Sequence, residues 1–263
     1  MKKYIIAGSA IVALSLSLVA SVAFANHSWG GYHWARTGNP FTLKLGDNVS
    51  SAWDTVLATA SSDWTQSDVL DTTIVSGQAK GNCQPTKGRV EICNKAYGNN
   101  GWLGIAQVWV SGSHITQGTV KLNDTYFNTA TYNNPNERQH VACQEIGHTF
   151  GLDHQSTNGT SLDTCMDYFS NTGVNTASTL STHPNQHDYD ELGIIYGHND
   201  SFTTILSAIN GGGKPAVVGQ NIDSNDPSAW GRAVKQDVHG HNSLYERDLG
   251  NGEKLFTFVT WRE

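Results

Sequence analysis

The chain has 263 residues, of which 15% are charged, and a formal charge of −7 at neutral pH. An acidic surface argues against nucleic acid and anionic membranes as partners. The length suits one medium domain, or one domain with an extension.

The chain opens MKKYIIAGSAIVALSLSLVASVAFA. Lys2 and Lys3 precede an apolar run from about Tyr4 to Val22, and Ala23-Phe24-Ala25 fits a small-x-small cleavage site. Residues 1–25 therefore read as a secretory signal peptide, and the mature protein is expected to be secreted (extracellular). Cleavage removes two lysines and no acid, moving the charge from −7 to −9. No later segment approaches the roughly 18 uninterrupted apolar residues of a membrane span. A monomer is expected.

Residues 26–40 are aromatic and Gly-rich without a period, and read as an N-terminal arm. FTLKLGD (41–47) alternates as a half-buried strand does. In 50–66, Trp53, Val56, Leu57, Ala60 and Trp64 form a helical stripe, with Ser50 or Ser51 as N-cap. DTTIVSG (71–77) reads as a second strand, so the opening is β-α-β with parallel strands. GWLGIAQVWV (101–110) and GTVKLNDTYF (118–127) are further strands joined by a turn. A helix is then expected from Pro135 to about Phe150. Asn134 is its N-cap, Pro135 its first residue, and Glu137 the other half of a capping box. Gly151 supplies the left-handed residue that ends it. NQHDYDELGIIYG (185–197) is a second helix, Gly211–Gly213 a flexible break, and Asn251-Gly252 the turn of a C-terminal hairpin. There are no internal repeats. The organisation expected is a domain over 26–200 and an extension over 201–263.

The four cysteines, Cys83, Cys93, Cys143 and Cys165, suit two disulfides in an oxidising compartment, with three connectivities possible. Cys83 with Cys93 closes the short turn-rich loop CQPTKGRVEIC. Free thiols are the alternative. A zinc site of all four lacks the C-x2-C spacing.

The chemistry concentrates in CQEIGHTFGLDHQ, residues 143–155. Gln144 and His148 lie one turn apart on one helical face. Gly151 lets the chain turn, and His154 can come back to the same point. Three protein ligands with one position open suit a catalytic zinc. Glu145 lies about 100° round the helix from Gln144, where it can deprotonate water. Gln144 is a neutral oxygen donor, weaker for zinc than imidazole. It reads as an oxygen ligand, with a two-His site or no metal as the alternatives. His140 lies roughly 12 Å along the axis from His148, too far to share an ion. It reads as a hydrogen-bond partner near the cleft or as polar surface. His27 and His33 of the arm could in principle meet a metal.

At these residues the chain resembles the metzincin clan of zinc metallopeptidases, with matrixin-like and astacin-like catalytic domains. QEIGHTFGLDH (144–154) matches its zinc motif, with Gln144 where the clan has its first His. TCMDY (164–168) resembles its Met-turn, which makes Met166 the turn methionine and Tyr168 the tyrosine near the metal. Core packing is the alternative for Tyr168. The resemblance covers about residues 40–198. It implies an α+β zincin fold: a mixed twisted sheet with an active-site helix, a Met-turn and a C-terminal helix. It places GWLGIAQVWV as the edge strand that pairs with an extended substrate. It also gives Cys143 and Cys165 a meaning, since a bond between them would tie the helix to the Met-turn. A pro-domain with a zinc-blocking thiol is missing, so latency would come from the short arm or an inhibitor.

The function expected is a secreted Zn2+-dependent endopeptidase acting on protein or peptide substrates, with Glu145 as general base. The alternative is a catalytically weak or inactive protein of the same fold, kept for binding. A third reading makes Trp230, Tyr245, Phe256, Phe258 and Trp261 an aromatic binding platform, although such residues more often form core.

Overall fold

Phe41, Leu43 and Leu45 recur at every second residue, which gives their segment one apolar face to bury. In the computed structural model, which describes residues 27–205, 222 and 225–263, they form strand β2 (Phe41–Asn48), preceded by the short β1 (His33–Trp34). The expected signal peptide (1–25) and the glycine triplet (211–213) lie outside the described residues. Helix α1 (Asp54–Trp64) leads to β3 (Leu70–Ser76), which runs parallel beside β2. The cap differs from expectation. Trp53, not a serine, precedes the first turn, and no side chain caps it. Trp53 is buried instead, its indole donating to Asp124 Oδ1 at 2.9 Å.

Strand β4 (Val90–Lys95) had been read only as part of a disulfide loop; it lies parallel between β2 and a later strand. That neighbour is β6 (His114–Asn123), which also forms an antiparallel hairpin with β5 (Trp102–Ser111). The expected continuation of β6 to residue 127 is broken by a cap. The Asn123 side chain accepts from Thr125 N and starts α2 (Asp124–Phe127). Helix α3 (Pro135–His148) follows, and later α4 (Gln186–Ile195), opened by a capping box of Asn185 and Asp188.

Strands β7 (Arg232–Gln236), β8 (Asn242–Gly250) and β9 (Glu253–Trp261) complete the chain, with β8 and β9 turning at Asn251-Gly252. Both turn residues have positive φ, 55° and 76°, as a two-residue hairpin loop requires. All nine strands form one mixed sheet in the order β3-β2-β4-β6-β5-β9-β8-β7, with β1 against β6. The fold is α+β.

One strand is not where the sequence reading puts it. β5 is no edge: β9 pairs with it antiparallel from Trp102↔Trp261 to Ser111↔Glu253. The physical reason is visible in β5 itself. Nine of its ten residues are buried, a run that only a strand covered on both faces and both sides supports. The edges are β3 and β7, and every residue of β7 faces solvent.

The main core joins α1, α3 and the sheet around Trp34, Trp64, Phe127 and Phe150. A smaller one gathers Trp102, Ile105, Trp230, Tyr245 and Val259. The aromatic residues of the C-terminal region are therefore largely core: Trp230, Tyr245, Phe256 and Phe258 are buried and Trp261 partly so. Both expected disulfides are formed, Cys83–Cys93 and Cys143–Cys165, with Cα separations of 6.1 and 5.9 Å. Among the described residues, no helix is long and apolar enough to cross a membrane.

Candidate functional site

Helix α3 starts as its sequence dictates. Pro135 takes the first position, where no N–H is needed, and the Asn134 side chain accepts from Glu137 N at 2.8 Å. The box is not closed, however. The Glu137 carboxylate accepts from Asn171 N at 2.6 Å and from Ser170 Oγ, so it holds the segment after Met166 instead of its own cap. Burial raises its pKa to about 7, against the lowering effect of those two bonds.

The other end carries the chemistry. The last carbonyls of a helix lack intrahelical partners. Here Trp29 Nε1 donates to His148 O (3.1 Å), Trp34 Nε1 to Thr149 O (2.9 Å) and Tyr196 Oη to Phe150 O (2.8 Å). Two of these donors belong to the N-terminal segment, which thus serves as a helix cap. Gly151 then turns the chain at φ 104°; a Cβ there would lie 2.5 Å from Tyr32 O. This turn returns His154 to His148, and the two rings meet edge to face with centroids 4.6 Å apart.

Each imidazole is oriented by its Nδ1. That of His148 lies 2.8 Å from Leu152 O, and that of His154 lies 3.5 Å from Asp153 Oδ1. Asp153 is in turn held by Lys235. Burial opposes its ionisation, but His154 and Lys235 outweigh this and hold the carboxyl below its usual range. Both Nε2 atoms are buried and have no hydrogen-bond partner among the described residues. Burial, then His154, keeps His148 well below the usual imidazole range, so it is neutral. A neutral imidazole with Nδ1 anchored and Nε2 free is what a metal requires of histidine, and both rings have that anchoring.

Gln144 occupies the turn before His148. Its Nε2 donates to Cys165 O (2.9 Å) and Asp167 O (2.7 Å), spanning the two sides of Met166. An imidazole has no NH2 to do this. Its Oε1 accepts from Thr260 Oγ1 at 2.7 Å, and the same hydroxyl lies 2.6 Å from Glu145 Oε1. Glu145 is wholly buried beneath β9. Burial raises its pKa to about 8, with the Thr260 hydroxyl acting in the opposite direction.

Met166 is fully buried under α3: a Cβ on Gly147 would come within 2.5 Å of its Sδ. The Cys143–Cys165 bond fastens the helix to the turn just before it. His140, read as a cleft partner or polar surface, is buried, with its ring nitrogens 3.0 Å from Asp167 O and 3.2 Å from Asn171 Oδ1. Tyr168 packs on His154, centroids 4.7 Å apart, and donates to Val259 O at 2.8 Å. Burial, then Asp237 and Glu145, pushes its phenol well above the usual range, so it stays a donor.

The structure thus brings together Gln144, Glu145, His148, His154, Met166 and Tyr168, together with Cys143 and Cys165. It leaves Cys83–Cys93 apart, tying the loop before β4 to that strand. Sequence reading missed Val259 and Thr260, and read Phe258 as platform or core and not as part of this site. Phe258 stacks on His148 at 4.1 Å with rings 12° from parallel, and the other two touch Tyr168, Gln144 and Glu145. Their hairpin was legible, but no signal named the strand it joins. Beyond Thr260 the cleft opens into a cavity of about 740 Å³ lined by Glu137, Gln144, Tyr168 and Glu263 among others. Compared with known proteins, the chain matches no family model and no curated protein.

Proposed function

We propose that this is an exported zinc-dependent endopeptidase of metzincin-like architecture, kept closed by its own C-terminal strand. One observation carries the reading: His148 and His154 present two buried, unpartnered Nε2 atoms beside Glu145 and Tyr168. Gln144, His148 and His154 would hold the metal. When bound, zinc supplies Lewis-acid polarisation of a peptide carbonyl.

The chain's own groups do the rest. Strand β9 lies antiparallel on β5, the pairing by which an extended peptide adds to a sheet. Its Val259 carbonyl receives the Tyr168 hydroxyl, where the oxygen of a scissile peptide would be stabilised as charge develops. Once β9 has peeled away and Glu145 is no longer desolvated, its carboxylate takes the proton of the attacking water and returns it to the departing amine. Substrate therefore follows the path that residues 258–261 now fill, and those residues must peel away first. Latency is thus assigned to the C-terminal strand, in place of the N-terminal arm or an inhibitor; the arm caps α3.

The experiment is metal analysis combined with peptide-library cleavage, each with wild type and Glu145→Ala, and each repeated in a Thr260→Val background so that latency is not mistaken for inactivity. Glu145→Ala is expected to keep its zinc and lose about 10²-fold or more in rate. Equal cleavage by metal-loaded forms with and without Glu145 overturns the proposal.

A second reading has its own support. Gln144 Oε1 is engaged by Thr260, and β9 fills the strand position, as in a protein of this fold that binds without catalysis. Absence of zinc and of any Glu145-dependent rate would favour it.

A further inference from the structure

Some distance along the chain from α3, three histidines meet one aspartate. The parallel pairing of β1 with β6 sets His33 directly opposite His114, with ring centroids 4.9 Å apart. His198 and Asp200, just past the end of α4, arrive from the other side. His33 Nε2 lies 3.1 Å from His198 Nε2 and 3.6 Å from Asp200 Oδ1. Asp200 Oδ1 is also 3.1 Å from His114 Nε2 and 3.8 Å from His198 Nε2. The ligand atoms of His33, His198 and Asp200 all fall within 4.8 Å of one another.

We propose that His33, His198 and Asp200 hold a zinc ion, independent of the one on α3, with His114 bonded to Asp200 as an outer partner. Three arguments support it. The first is dimension. Ligands at about 2.0–2.1 Å around a tetrahedral zinc stand about 3.3–3.4 Å apart, and the three distances among these ligand atoms, 3.1, 3.6 and 3.8 Å, bracket that value.

The second is the direction of lone pairs. His33 Nδ1 lies 2.9 Å from Gly31 O, a contact that requires the proton on Nδ1. Its Nε2 then carries a lone pair directed into the cluster, where it meets His198 Nε2 at 3.1 Å and Asp200 Oδ1 at 3.6 Å.

The third is what anchors the carboxylate. Asp200 Oδ2 accepts from Arg36 N (3.1 Å) and Arg36 Nη1 (3.0 Å), while Arg36 Nη2 donates to Tyr196 O (2.8 Å). Oδ2 is thus occupied and Oδ1 is turned to the imidazoles. Metal-ligating carboxylates and histidines are held in this way by outer partners. Three protein ligands leave the fourth position to solvent beside the exposed His198. The ion, with His114 on Asp200, would tie the N-terminal segment, the β5–β6 turn and the segment after α4 into one knot. His198 is half exposed and gives the ion a way in.

The test is zinc content and thermal melting of the full chain after dialysis against micromolar free zinc, comparing wild type, His198→Ala and His114→Ala. Both histidines reach solvent, so neither variant creates a buried cavity. Wild type is expected to hold one equivalent more than His198→Ala, while His114→Ala, which removes only the outer partner of Asp200, should weaken that equivalent by about 10–100-fold. Zinc should raise the wild-type Tm more than that of the variants. Cobalt(II) in this site should show four-coordinate visible absorption, lost in His198→Ala. Equal zinc content and equal zinc-induced shifts in all three proteins would overturn the proposal. None of these readings depends on peptidase activity, so either proposal can fail without the other.

Discussion

Replacing Thr260 by Val removes one hydroxyl and almost no volume, at the point where β9 touches the site. Among the described residues, Thr260 is the donor to Gln144 Oε1, an atom of a side chain only 1% exposed. Leaving one such acceptor unmet costs about 1–3 kcal/mol. Taking about 2 kcal/mol, the Tm falls by about 4–8 °C for a chain of this size. If the end of β9 must detach before substrate enters, the same 2 kcal/mol raises the open fraction about 30-fold, at 1.4 kcal/mol per tenfold. Peptidase rate should therefore rise as stability falls, an opposition that simple damage does not produce. The assay is a fluorogenic peptide rate, with zinc present, beside a thermal melt of the same sample. Thr260→Ser, which keeps the donor, should behave like wild type in both. A Thr260→Val protein with lowered Tm and unchanged or reduced rate refutes the idea that this strand is the lock.

Three further outcomes follow from the same geometry. Gln144→His should retain zinc against a chelator that strips wild type, since imidazole is the better donor; its metal-free form should melt lower, because two bonds to the Met-turn carbonyls are lost. Gly147→Ala should destabilise by about 1–3 kcal/mol, less the 0.5–1 that alanine returns to a helix, as its methyl meets Met166 Sδ and Trp64; a raised Tm would contradict this. Glu137, raised to about 7, binds its proton more tightly folded than unfolded. Its contribution is full below about pH 4.5 and is lost progressively as pH climbs to about 7, on the order of 3 kcal/mol. Denaturant titrations of Glu137→Gln should lack that part of the slope, and parallel curves for the two proteins would count against it.

What was legible in the sequence was local. Asn134, Pro135 and Gly151 set the limits of α3 through capping and a left-handed turn, which any reading of neighbours can find. The spacing of Gln144, His148 and His154 is likewise local, as is the Asn251-Gly252 hairpin. What was not legible depends on partners far along the chain. Glu137 has the right type for a capping box but is drawn away by Asn171. β4 is short and hidden between a disulfide loop and a polar link, and only its neighbours β2 and β6 define it. Thr260 has no motif of its own. Even so, the edge assignment of β5 was contradicted by its own composition: a stretch as apolar as WLGIAQVWV has no solvent side to offer.

The pairing of β5 with β9 also governs how the chain reaches its fold. Gln107 and Thr257, whose side chains are bonded at 3.2 Å, are 150 residues apart. Closing so long a loop is entropically costly and slow, and it can occur only after almost the whole chain has left the ribosome. Until then β5 is an apolar strand with an open side, the kind of template that recruits other chains. A chain broken off before residue 253 should accordingly aggregate rather than fold to a smaller version of this protein. Strand β9 is thus a checkpoint on synthesis, since the sheet closes only in molecules that carry it.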